Sequence, residues 1–90
     1  MAERGTRVVG VIAHYYTRIS VAIVELKDTL SVGDRILIQG RGHPFSTDIE
    51  QTVESMQIEH ENVASAKSGQ SIGLKVDGRV REGDRVYKIL

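Results

Sequence analysis

Ninety residues allow one domain, because a chain of this length buries only roughly 60 to 65% of its unfolded surface and cannot support two cores; a GTPase or kinase domain does not fit. Val and Ile supply 20 residues and Thr five more, against ten for Leu and Ala combined, a balance that favours pleated strands over helices. Twelve Lys and Arg against twelve Asp and Glu exclude a generally basic nucleic-acid coat, and the lack of Cys excludes a disulfide framework or thiolate metal site and points to a reducing compartment, the cytoplasm.

The N-terminus, Met1 to Arg7, is charged, and the longest nearly uncharged run, Val8 to Thr17, contains His14 and two tyrosines, so neither a signal peptide nor a membrane span is expected. Strand-like runs follow at Arg7 to Tyr16, Ile19 to Leu26, Arg35 to Gln39, Thr47 to Ile58, Ser71 to Val76 and Arg85 to Ile89. Gly, Asp, Asn and Pro clusters separate them, and no window repeats apolar residues at helical spacing. The first two runs are apolar on both parities, as in strands covered on both sides or lying at an interface. In Thr47 to Ile58 the apolar parity flips between Val53 and Met56, which predicts a β-bulge turning both inward. Ser71 to Val76 should bury Ile72, Leu74 and Val76. Val32-Gly33-Asp34-Arg35-Ile36 and Glu82-Gly83-Asp84-Arg85-Val86 share one strand-entry device, a Gly for positive φ followed by an Asp that bonds nearby backbone donors.

Catalytic patterns are missing. There is no phosphate loop, and Gly40-Arg41-Gly42-His43-Pro44-Phe45 places Phe45 where a dinucleotide loop needs its third glycine. His14, His43 and His60 fall on separate elements without ligand spacing. Glu59 and Glu61 share one predicted strand face and read as solvated. Tyr15-Tyr16 beside Arg18 is the one candidate stacking pair, and strand alternation lets at most one of the two join a platform while the other packs in the core.

Charge is unevenly placed. Residues 44 to 66 hold five acids and no Lys or Arg, whereas residues 67 to 90 hold six bases and three acids. Arg79, Arg81, Arg85 and Lys75 either keep strand faces wet or form an anion-binding patch, which Arg41 could join.

The run Thr52-Val53-Glu54-Ser55-Met56-Gln57-Ile58, then Val63, Ala66, Gly69 and Ile72-Gly73-Leu74, then Arg81 to Val86, with Leu30 to Ile36 upstream, resembles the second domain of the translational GTPases. That domain is the β-barrel module of elongation factor Tu and initiation factor two. The chain looks most like the small stand-alone elongation-factor-like proteins, and is similar too to the barrel at the C-terminus of some U32-type peptidases. Two departures are Gln70, where the family commonly has Asp, and a first hairpin without the family's glycines. The resemblance implies an all-β fold, a small closed antiparallel Greek-key barrel of six or seven strands in one domain, 1–90, with its core at about 8–89. It implies a non-enzymatic translation-factor-like module with no GTPase activity and no cofactor, docking on ribosomal RNA, tRNA or a translation-associated protein. An RNA contact would use Arg79, Arg81, Arg85, Lys75 and Arg41. The alternative is a protein-interaction subunit, partnered by a separate enzyme or a GTPase, that supplies the barrel otherwise fused to U32-type peptidases.

Overall fold

The both-parity apolar pattern of the first strand has a local cause. In β1 (Thr6–Tyr16) the register against β10 (Arg85–Ile89) steps from Val8↔Tyr87 to Gly10↔Val86. Against β2 (Val21–Leu26) it steps from Ile12↔Val24 to His14↔Ile23. Each bulge inserts one residue and reverses the parity: the first lets Val9 and Ile12 both reach the core, and the second lets Tyr15 pack against it after Ile12. The computed structural model describes residues 5–42 and 46–90. His43, Pro44 and Phe45, with the expectations placed on His43 and Phe45, lie outside the described residues.

The remaining elements are β3 (Leu30–Ser31), β4 (Arg35–Gly40), β5 (Thr47–Thr52), β6 (Met56–Ile58), β7 (Glu61–Val63), β8 (Ser65–Ala66) and β9 (Ser71–Lys75). All pairings are antiparallel, and no described residue is helical. Eight strands form one sheet in the order β5-β4-β10-β1-β2-β9-β6-β7, and β3 pairs with β8 separately. The fold is therefore all-β, as the composition demands. The closed barrel of six or seven strands is corrected on two counts: the described residues form ten strands, and their hydrogen-bonded ladder is open, ending at β5 and β7.

The open sheet is nevertheless rolled. Gln51 on β5 donates to the Lys75 carbonyl at 2.9 Å and accepts from the Asp77 amide at 2.8 Å, although β5 and β9 stand first and sixth in the ladder. A side-chain amide thus ties the β5 margin to the end of β9 where a barrel would have a ladder. Inside lie Val9, Ile12, Val24, Leu30, Ile36, Ile38, Met56, Ile72, Leu74 and Val86, all buried. The even positions of β9 face inward as its alternation requires.

Val53 and Met56 are both fully buried, but not through a bulge in one long strand. The chain leaves β5 at Thr52 and starts β6 at Met56. Between them the Val53 amide donates to Asp34 O and Val53 O accepts from the Gly33 amide, each at 2.8 Å. The parity change marks a strand switch.

Three strands are entered by one turn. In Ser31 to Asp34, Lys67 to Gln70 and Arg81 to Asp84, the third residue is Gly with φ of 97°, 90° and 90°, and the fourth amide donates to the first carbonyl. In each, the fourth side chain accepts from the first amide: Asp34 Oδ2 from Ser31 at 2.8 Å, Gln70 Oε1 from Lys67 at 2.8 Å and Asp84 Oδ2 from Arg81 at 2.9 Å. The geometry is a type II turn that only glycine enters cheaply at its third position. Gln70 is chemically a third copy of the Asp device.

Candidate functional site

Strand pairing decides which of the predicted cations can act together. Arg85 opens β10 directly opposite Gln39 of β4, and Gln39 pairs on its other side with Asp48 of β5. Arg41 follows β4 by one residue. Arg41 and Arg85 consequently line one cleft of about 730 Å³ together with Gln39, Gly40, Ser46, Thr47, Asp48, Gly83 and Tyr87. The other three predicted cations lie elsewhere. Lys75 ends β9 opposite Val21, and Arg79 and Arg81 sit in the 76–84 connection, where each has a partner within the chain. The five residues are divided between a cleft, a strand end and a loop.

Gly40 shapes this cleft. A Cβ at Gly40 would collide with Asp84 Oδ1, so the glycine admits a buried carboxylate against the strand. Thr47, 4% exposed, lies opposite Gly40 on the other side, and its hydroxyl has no hydrogen-bond partner among the described residues. Arg35, by contrast, is engaged by Glu50 at 3.2 Å and by Thr52 Oγ1 at 3.0 Å, and Arg7 by Asp28 at 3.4 Å.

A second surface is apolar. At the β1–β2 hairpin Tyr16 is 48% and Ile19 58% exposed, with Val21 and Ile23 half-exposed on the outer face of β2. His14 and Tyr16 stack edge to face at 4.4 Å, and His14 Nδ1 lies 3.5 Å from Glu82 Oε2. Tyr15 instead packs against the core, so the adjacent tyrosines part as strand alternation requires. Gly73 does not serve close packing: an added Cβ would meet Val21 Cγ1 at an ordinary 3.6 Å. Glu59 and Glu61 share no strand face, because Glu59 and His60 form the β6–β7 turn.

The cleft's Thr47, Asp48 and Tyr87 and the hairpin's Ile19 were not singled out by sequence reasoning. Ile19 carried a usable signal, a large apolar residue among the polar residues of a hairpin tip. The cleft carried none, because it depends on cross-strand register.

The chain is 44% identical over 79 residues to an uncharacterized protease of Methanocaldococcus jannaschii, covering 88% of this chain and 19% of that protein. It is 36% identical over 75 residues to a collagenase of Porphyromonas gingivalis, covering 82% of this chain and 20% of that protein. The chain thus spans about a fifth of the length of these curated relatives. Among solved structures it is similar to the C-terminal domain of a Geobacillus thermoleovorans protein assigned to the U32 peptidases, with a TM-score of 0.79, 18% identity and coverage of 90% of each chain. A selenomethionine form of that domain gives 0.78 and 17%, covering 89% of this chain and 96% of that one. No family model matches.

These likenesses overturn the assignment to stand-alone elongation-factor-like proteins, and with it the link to translation and the ribosome: the relatives are proteases, and the matching fold is a U32 peptidase C-terminal domain. The residues behind that assignment explain why it misled. Gly33, Gly69, Gly83 and the core positions Val53, Met56, Ile72, Leu74 and Val86 are turn and packing residues, which any small rolled sheet of this kind needs.

Proposed function

We propose that this chain is a non-catalytic protein-interaction module that docks on the catalytic part of a U32-type peptidase. The observation that carries the reading is the β1–β2 hairpin, which holds Tyr16 and Ile19 largely exposed beside the half-buried Val21 and Ile23 of β2. Exposed aromatic and aliphatic side chains at a rigid hairpin are the usual anchors of protein interfaces. The 44% identity to a protease of which the chain spans 19% supports the choice of partner.

The test mixes the 90-residue chain with the catalytic part of the Methanocaldococcus jannaschii protease, expressed without its homologous segment, and measures association by calorimetry. Tyr16→Ser and Ile19→Ser should each weaken binding by about 2 kcal/mol, roughly 30-fold, if they are anchors. Their urea midpoints should stay unchanged. Association that ignores both substitutions, or no association with a Kd below about 1 mM, would sink the reading.

A further inference from the structure

The cleft at the head of β10 combines features that the hairpin face does not use. Arg41 and Arg85 both line it and are exposed, and neither has an ion pair among the described residues, whereas Arg7 and Arg35 are paired. Thr47 contributes a buried hydroxyl without a partner among the described residues, which native structures rarely leave unexplained. Tyr87, half-buried two residues after Arg85 on the same strand face, offers an apolar wall with a polar tip. The volume of about 730 Å³ lies within the range of small-molecule and peptide sites.

Charge decides the ligand. Two guanidiniums call for an oxyanion, preferably a carboxylate that accepts bidentate bonds. Asp48 in the same lining repels a chain of phosphates and attracts a donor. A ligand with one carboxylate next to an N–H group answers both signs, and the end of a peptide has that arrangement. We infer that the cleft is a binding site for a peptide's C-terminal carboxylate. The carboxylate lies between Arg41 and Arg85, the terminal residue's amide donates to Asp48, and its side chain rests on Tyr87. This site shares no residue with the hairpin face and stands or falls apart from it.

The experiment is an amide chemical-shift titration of the 15N-labelled chain with N-acetyl-Gly-Ala-Leu, as the free acid and as the C-terminal amide. Inorganic phosphate and acetate are titrated in parallel. The free acid should shift Gly40, Ser46, Thr47, Asp48, Gly83 and Arg85 together, and amidation should weaken binding at least about tenfold, since a hydrogen bond to a charged group is being removed. Arg41→Gln and Arg85→Gln should each weaken the free acid by a similar factor while leaving the remaining spectrum in place. Asp48→Asn should weaken the peptide but not acetate. No shifts at these amides, equal binding of acid and amide, or indifference to either arginine substitution would overturn the inference. Phosphate binding as tightly as the peptide would overturn the choice of carboxylate.

Discussion

Replacing Gln51 tests how the rolled sheet is held. The side chain is 4% exposed, and its amide makes two bonds of 2.9 and 2.8 Å to Lys75 O and Asp77 N. Gln51→Leu keeps most of the volume and removes both bonds, leaving a partly buried carbonyl and amide to find water. Each bond is worth about 1 kcal/mol net, and each stranded partner adds up to about 1 to 3 kcal/mol, so a loss of about 2 to 4 kcal/mol is expected. In a domain of this size that lowers Tm by about 10 to 20 °C. Urea titration is the assay, with the slope unchanged if only the native seam is affected. Gln51→Glu refines the test. Its carboxyl accepts from Asp77 N at any pH, but it donates to Lys75 O only when protonated. The folded state then binds that proton more tightly than the unfolded chain, and the carboxyl's folded pKa is raised above the usual value of about 4.3. The stability this proton confers is fully present below about pH 4 and is lost as pH rises through the folded pKa. The variant should approach wild type in acid and fall below it at neutral pH. A Gln51→Leu cost under about 0.5 kcal/mol, the range of surface substitutions, would refute the seam.

Leu74→Ala, at a fully buried position on β9, should cost roughly 2 to 5 kcal/mol by urea titration; a cost below about 0.5 kcal/mol would mean the strand faces the other way. Gly40→Ala should destabilise by about 1 to 3 kcal/mol, because the methyl group meets the Asp84 carboxylate, and wild-type stability would disprove that contact. The β6–β7 turn places Glu59 at φ 49° and His60 at φ 68°, positions that favour Asn-Gly. Glu59→Asn with His60→Gly relieves left-handed strain and should therefore raise stability by about 0.5 to 1 kcal/mol, and a lower urea midpoint would contradict the assigned turn.

The strand content was legible because Val and Ile alternate cleanly where a strand has one wet face, as in Ile72, Leu74 and Val76. It blurred where the backbone breaks the period. The two bulges of β1 made Val8 to Tyr16 look apolar on both sides, and the switch after Thr52 looked like a bulge. The short strands β3, β7 and β8, of two or three residues, are too brief to show a period at all. The turn device was legible in Gly33-Asp34 and Gly83-Asp84, and its third copy was hidden by Gln70, whose longer side chain makes the same bond. Of the candidate site, Arg41 and Arg85 were visible as charges. Their meeting was not, because β4 and β10 lie far apart in sequence and pair only in the folded sheet.

The placement of β1 constrains how the molecule can be made. β1 lies between β10 and β2 and pairs Thr6 with Ile89, so the earliest strand of the described chain completes its bonding with the last. During vectorial synthesis β1 and β2 can form a hairpin, but the outer edge of β1 waits until Ile89 has left the ribosome. Through that interval the core side chains of β1 have no cover on one flank, and the strand edge remains open to other chains. Long-range closure of this kind places folding on the millisecond-to-second scale. A chaperone that shields this edge must accordingly hold it from the emergence of β1 until β10 has been made.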